Sequence, residues 1–358
     1  MIFKSLFITK KFDDHVREKN IEDTFYRFIN LELKENELKD FQKYLCDLIE
    51  EALAGLEKFP KENESALDNA KSISDLIDEE TFRCGSIYYL KVNKNDCFYI
   101  IGDLHGDKNA FVAFFEKIQF LKNHKKDIKL IFLGDYIDRG LFGLNILTSL
   151  IFLKINFNEQ IFLLRGNHEI WEENNGEIVS TALGDNMFLD FWKNYFERST
   201  LAKIKEFFDK LPVIVILSNG IVLAHGGIPR PKEGSYNYVE NLKSLNEKDR
   251  LFEIMWSRPE DKDDVIITYS SPQFSFAKRQ FNEFMNHIGG KIMIRAHDPD
   301  GFKEFYDGKL ISVFSTGGEG NETAYDLYKL TNPCYLQIFH EKICIYSIFP
   351  LKSLTTGG

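Results

Sequence analysis

The chain runs to 358 residues, enough for one large core with an appendage, and carries 45 Lys and Arg against 55 Asp and Glu. A formal net charge of -10 argues against broad adhesion to nucleic acid or to an anionic membrane surface. Five cysteines, Cys46, Cys84, Cys97, Cys334 and Cys344, are odd in number and lack C-x-x-C spacing, which indicates neither a disulfide framework nor a zinc knuckle and fits the reduced thiols of a cytoplasmic protein.

The apolar start, residues 1–9, is broken by Lys4 and leads to no small-residue cleavage site, so it does not read as a secretory signal. No apolar run approaches the roughly 20 residues that span a bilayer. Residues 1–85, rich in Lys, Glu, Leu and Asn, read as a helical extension ahead of a catalytic domain over residues 86–350. Within the extension Leu38, Phe41, Leu45, Leu48, Ile49, Ala52 and Leu56 recur at three- and four-residue spacing, which predicts an amphipathic helix stopped by Pro60. Residues 61–65 read as a linker and 66–77 as another short helix. Acidic and basic residues are mixed along the extension, the pattern of a solvated face.

From Ile87 onward short β-rich runs alternate with amphipathic segments, the α/β signature. Strands are expected at 97–101, 129–133 and 160–164, with helices at 109–121 and 144–153 between and after them. Further strands are expected at 213–217, 221–224, 291–294, 310–314, 325–330, 335–339 and 342–346. Polar clusters punctuate the strand ends: Gly102-Asp103-Leu104-His105-Gly106, Gly134-Asp135-Tyr136-Ile137-Asp138-Arg139-Gly140, Gly166-Asn167-His168-Glu169, His225-Gly226-Gly227 and Arg295-Ala296-His297. In open α/β sheets the carboxyl ends of strands are where ligands bind.

Asp103 and His105 are two apart, so both side chains can face one side of an extended segment. Asp135 has two oxygens, and a single carboxylate covers the 3.5 to 4 Å or so that separates the ions of a two-metal site. Arg139 offers a planar fork matched to phosphate oxygens. Asn167 and His168 are neighbours and in an extended segment point apart, which suits two different jobs. Each cluster taken singly also fits an ordinary turn or surface pair; five of them in this order, each at a strand end, point to a metal site.

In this order the clusters resemble the phosphoprotein phosphatase branch of the calcineurin-like metallophosphoesterases, over residues from about 95 to 345. The resemblance implies a four-layer αββα sandwich. It implies that Asp103, His105 and Asp135 hold one divalent cation and that Asp135, Asn167, His225 and His297 hold a second, with manganese foremost and iron or zinc as alternatives; oxygen and imidazole donors without thiolate suit these ions. A water bridging the ions would attack phosphorus in line, Arg139 and a second arginine would neutralise the phosphoryl oxygens, and His168, held by Asp138, would protonate the leaving group.

Two departures stand out. Eukaryotic members carry the second arginine well downstream of a Trp-Ser-Asp-Pro segment; here the segment is Trp256-Ser257-Arg258-Pro259, and Arg258 resembles the replacement found in prokaryotic and phage-like members. Where eukaryotic members have a Ser-Ala-Pro-Asn-Tyr-Cys loop, this chain has Ser315-Thr316-Gly317-Gly318-Glu319-Gly320-Asn321. The implied substrates are phosphoserine and phosphothreonine in proteins. A symmetrical diadenosine tetraphosphate hydrolase is the alternative enzyme; a non-catalytic phosphate-binding scaffold would require a lost catalytic group, and His168, Asp138 and Arg139 are all present.

Overall fold

The computed structural model of the chain describes residues 20–182, 186–233, 237–269, 271, 273–318, 332–340 and 342–349. The first helix, α1 (Ile21–Ile29), starts at Asn20, whose side chain accepts from the Asp23 amide. The second, α2 (Leu38–Lys58), buries Phe41, Leu45, Leu48, Ile49, Ala52 and Leu56 and ends just before Pro60, as the spacing predicts.

Residues 61–77 differ from the expected linker and helix. They form a two-residue strand, β1 (Lys61–Glu62), turns, and a single 3-10 turn over Ile73–Leu76. Asp75 takes the amides of Lys71 and Ser72, and Ser72 caps Ser74, so local side chains satisfy backbone groups that an α-helix would otherwise pair. Strands β2 (Phe82–Cys84) and β3 (Ile87–Leu90) form an antiparallel hairpin, and the expected boundary between residues 85 and 86 falls in its turn.

Then come β4 (Cys97–Ile101), α3 (Lys108–Ile118), β5 (Ile128–Phe132), α4 (Gly143–Asn156) and β6 (Ile161–Leu163), two successive parallel β-α-β crossovers. An excursion follows, with the hairpin β7 (Trp171–Asn174) and β8 (Glu177–Ser180), the short helix α5 (Met187–Trp192) and α6 (Arg198–Lys210). The second half contains β9 (Ile214–Leu217), β10 (Ile221–Ala224), α7 (Lys248–Trp256), the short pair β11 (Arg258–Pro259) and β12 (Ser275–Phe276), and α8 (Lys278–Ile288). It closes with β13 (Ile292–Arg295), β14 (Phe302–Phe305), β15 (Leu310–Val313), β16 (Cys334–Phe339) and β17 (Lys342–Ser347). The strand expected at 325–330 lies outside the described residues.

One sheet runs β17-β16-β4-β5-β6 and the other β1-β2-β3-β9-β10-β13-β15-β14. Alternation along the strands stacks them. Phe98, Ile100, Ile131, Leu133, Phe162 and Leu164 meet Tyr88, Leu90, Val215, Leu217, Leu223 and Ile294 from the other sheet. Their neighbours Ile101, Leu130, Phe132, Ile161 and Leu163 face the opposite way, onto α1–α4 and α6. The outer face of the larger sheet is covered by residues of α7 and α8, such as Met255, Phe281 and Phe284. Helices, sheet, sheet, helices: this is the expected αββα sandwich. Among the described residues no helix is long and apolar enough to cross a membrane.

Helix α4 is apolar all round, and every residue from Gly143 to Lys154 is buried. Such a helix needs cover on its outer side, and α1 and α2 supply it: Asn145 of α4 donates to the carbonyls of Phe28, Ile29 and Leu31 at the end of α1. The N-terminal helices therefore share the first core.

Lys154 is buried with its ammonium on the carbonyls of Asn158 and Ile161, both at 2.8 Å, and burial pushes its pKa down to about 7. In the unfolded chain a lysine titrates near 10.4, so between about pH 7 and 10 the unfolded state binds more protons and stability rises with pH. Against Lys154→Met, the wild-type protein should gain roughly 1.4 kcal/mol per pH unit across that window. Urea unfolding at two alkaline pH values measures it; a constant difference means that the lysine stays charged when folded.

Candidate active site

The parallel strands of both sheets point their carboxyl ends to one edge. Asp103 follows β4, Asp135 follows β5, Asn167 follows β6, His225 follows β10 and His297 follows β13. The two sheets meet there closely: Asp103 bridges to Phe314 just beyond β15, and a Cβ on Gly102 would come within 2.2 Å of the Val313 carbonyl oxygen. Gly102 thus serves the contact between the sheets. Gly106 does have left-handed backbone, φ +66, and packs on Gly140, so the first and second clusters touch through glycines.

All six expected ligands are brought together. Asp135 lies at the centre, its Oδ2 3.5 Å from His105 Nε2, 3.3 Å from His225 Nε2 and 3.8 Å from His168 Nε2. Asn167 Oδ1 is 2.8 Å from His225 Nε2, which also faces His297 Nδ1 at 3.1 Å. His105 Nδ1 donates to the Ile137 carbonyl and His225 Nδ1 to the Leu133 carbonyl, so both rings turn an Nε2 lone pair into the pocket. Asp103 accepts the His297 amide through Oδ1; its buried Oδ2 has no hydrogen-bond partner and lies 3.4 Å from His105 Nε2.

An orphaned carboxylate oxygen and imidazole nitrogens facing one another are costly in a dry pocket, and cations convert both into bonds. Two groups, His105 with Asp135 and His168, and Asp135 with His225 and His297, each bring their donor atoms within 4.8 Å of one another. The residues present fit two cations that share Asp135.

Against burial, the charge of Asp135 raises the pKa of His225, and the effect is mutual. Burial alone would raise the Asp135 carboxyl, but the imidazoles of His225, His168 and His105 outweigh it and hold the group well below the usual carboxylate range. Burial, with His225, Arg258 and Arg295 nearby, pushes His297 well below the ordinary imidazole value and keeps it the neutral base a ligand must be.

The catalytic candidates line the same pocket. Asn167 and His168 sit in a 3-10 turn, Asn167–Glu169, not in the extended segment expected; successive side chains there diverge by about 120°, so they still serve different partners. His168 Nδ1 is 2.7 Å from Asp138 Oδ2, and its Nε2 is 3.2 Å from the Arg139 guanidinium, which also reaches His105 Nε2 at 3.0 Å. Burial disfavours protonated His168, yet Asp135 and Asp138 prevail and raise its pKa. Arg258 follows α7 and donates from Nε to His297 Nε2 at 3.0 Å, with 52% of its side chain exposed. Arg295 is fully buried, bonded to the Gly226 carbonyl, Ser312 and Asp298 through Nε and one terminal nitrogen, while Arg279 pairs with Asp264 and Glu283. Arg258 is the more exposed of the two arginines near His297.

Backbone strain is concentrated here. His105, Asp135, Asp138, Arg139 and His297 all have left-handed φ, between 43° and 73°, a cost of order 1–3 kcal/mol each that the surrounding structure must sustain. Sequence reading gave Glu169 no role. Its carboxylate accepts the amides of Asp135, Tyr136 and Gly166, which ties the strained Asp135 loop to the Asn167–Glu169 turn, and burial followed by the Asp135 charge pushes its pKa up to about 7. The only signal for it was its place beside His168. Phe188 was also missed: its amide donates to Asp138 Oδ1 at 2.8 Å from a helix fifty residues on.

A family model described as calcineurin-like phosphoesterase matches residues 98–301. The serine/threonine-protein phosphatase 4 catalytic subunit of Saccharomyces cerevisiae is 28% identical over 224 residues, covering 60% of this chain and 68% of that protein. The serine/threonine-protein phosphatase 6 catalytic subunit of Caenorhabditis elegans is 29% identical over 222 residues, 60% of this chain and 63% of that one. Among solved structures, a protein serine/threonine phosphatase from Saccharomyces cerevisiae, with similarity to human phosphatase PP5, superposes with a TM-score of 0.62 at 17% identity, covering 92% of this chain and 96% of that one, which shows a shared fold.

Proposed function

The chain belongs to the calcineurin-like phosphoesterases, and from that premise we propose that it is a two-metal phosphatase acting on phosphoserine and phosphothreonine of phosphorylated proteins in the cytoplasm. The observation that carries the reading is the His168–Asp138 pair, 2.7 Å apart beside Asp135 and Arg139. An alkoxide leaving group needs a proton, which a positioned imidazole supplies. A nucleoside diphosphate expelled from diadenosine tetraphosphate leaves as a stable anion and has less use for one. Similarity to phosphatase 4 and 6 catalytic subunits supports the same choice.

In this reading Asp103, His105 and Asp135 hold one cation, and Asp135, Asn167, His225 and His297 the other. Their oxygen and imidazole donors suit manganese first, then iron or zinc. When bound, the two ions supply positive charge against the phosphoryl group and an activated water. Arg139, whose fork already lies between His105 and His168, and Arg258, bonded to His297, grip the phosphoryl oxygens as charge redistributes. Once the phosphoryl oxygens take the Arg139 guanidinium that now faces Nε2 at 3.2 Å, His168 can carry a proton on Nε2 for the leaving oxygen while Asp138 takes the hydrogen of Nδ1. Residues 86–350 do this work, and α1 and α2 of the extension back α4.

The test is metal-reconstituted protein on phosphoserine, phosphothreonine and phosphotyrosine peptides, diadenosine tetraphosphate and an aryl phosphate, run beside Arg258→Ala. Phosphoserine and phosphothreonine peptides should exceed diadenosine tetraphosphate by at least about tenfold in kcat/KM. Arg258→Ala should lose roughly tenfold or more in turnover, weaken inhibition by free phosphate and keep its metals, with Lys restoring only part. Faster hydrolysis of the dinucleotide makes the protein a nucleotide hydrolase, and inactivity on every substrate with two metals bound makes it a phosphate-binding scaffold.

A further inference from the structure

Asp138 is held from two sides. Its Oδ2 takes the hydrogen of His168 Nδ1 at 2.7 Å, and its Oδ1 accepts from the backbone N–H of Phe188 at 2.8 Å. The terminal torsion of an aspartate is broad, so a carboxylate with one partner swings. With both oxygens bonded its plane is fixed, and with it the imidazole. Asp138 has left-handed backbone, φ +66, which makes outside support more valuable.

The second anchor comes from far along the chain and is itself firmly seated. After Glu169 the chain leaves through the hairpin of β7 and β8 and returns as α5, whose second residue is Phe188. The Phe188 ring is buried, 6.1 Å between centroids from Trp171 and 6.4 Å from Trp192. It lies against Gly143 so closely that a Cβ there would come within 3.0 Å of Phe188 Cδ2. An amide in the first turn of a helix has no partner within that helix, so it is free to serve Asp138.

We propose that Phe188 is a positioning residue for the general-acid pair: burial of its ring fixes its amide, and its amide fixes the Asp138 carboxylate that presents His168. The inference rests on the reading of His168 as the proton donor to the leaving group. Phe188 touches no reacting atom and acts only through Asp138.

The decisive variant replaces the Phe188 residue by phenyllactate through nonsense suppression, which turns one amide into an ester and keeps the ring. Turnover of a phosphoserine peptide should fall about tenfold, with KM unchanged, while an aryl phosphate with a good leaving group slows by less than about twofold. Phe188→Ala, which keeps the N–H but loosens the anchor, should show the same pattern more weakly, and Phe188→Leu should restore it. In the metal-free protein the downfield proton resonance of His168 Nδ1–H should shift or broaden in the ester variant, a readout independent of turnover. Wild-type turnover of the phosphoserine peptide by the ester variant, or equal losses on both substrates, overturns the proposal. If His168→Asn itself slows both substrates equally, the general-acid reading has failed; if His168→Asn discriminates between them and the ester variant does not, only the role of Phe188 has failed.

Discussion

Asp135→Asn should strip the protein of bound metal and lower its turnover by at least about a hundredfold, because the change removes the one charge that both cations would share. The substitution is sterically mild. Asn fits the same space and is among the few residues that tolerate the left-handed backbone found here, φ 56. Its amide can also be oriented to keep an oxygen on the His168 N–H, which now bonds Asp135 Oδ1 at 3.1 Å. The fold should therefore survive, and thermal unfolding of the metal-free variant should stay close to that of metal-free wild type. What changes is electrostatic: the carboxylate that three imidazoles surround becomes a neutral amide with a single good donor oxygen. Metal analysis after dialysis decides the matter. Two ions per chain with near-normal turnover would show that Asp135 does not bridge.

Much of this site was legible because ligand chemistry is local in sequence even where it is not local in space. Asp103, Asp135, Asn167, His225 and His297 each follow an apolar strand, and a strand end is visible as the point where apolar residues give way to Gly, Asp and His. The stripe on α2 was legible for a similar reason, since six buried positions repeat at helical spacing. Elements without periodicity were not. Strand β1 has two residues, β11 and β12 have two each, and the 3-10 turn over Ile73–Leu76 is set by Ser72 and Asp75 capping rather than by an apolar face. Sharing of α4 between the extension and the catalytic part was hidden too, because a helix that is apolar all round shows only that it is covered, not what covers it. The support given by Phe188 to Asp138 is carried by a backbone amide, and every residue except proline has one.

His168→Asn separates two readings that geometry alone leaves side by side. Its Nε2 lies 3.8 Å from Asp135 Oδ2, within the cluster whose atoms could hold a metal, so proximity by itself would allow it to be a ligand. Its Nδ1, however, is held at 2.7 Å by the Asp138 carboxylate, where the Nδ1 atoms of His105 and His225 meet backbone carbonyls, and its ring meets the His105 ring edge-on. Against burial, two carboxylates raise its pKa, the direction a proton donor needs, but Asp135 raises His225 in the same way, so metal content and not the shift separates donor from ligand. As the general acid, His168→Asn should keep two metals per chain and slow phosphoserine hydrolysis by roughly 10²–10⁴-fold, while an aryl phosphate with a good leaving group, which departs without a proton, loses far less. As a ligand, the same variant should lose metal, and both substrates should slow together because the shared nucleophile is lost. Measuring metal content and both rates on one preparation distinguishes the two outcomes, and a fall in metal content parallel to equal rate losses would move His168 from the proton-donor role to the metal shell.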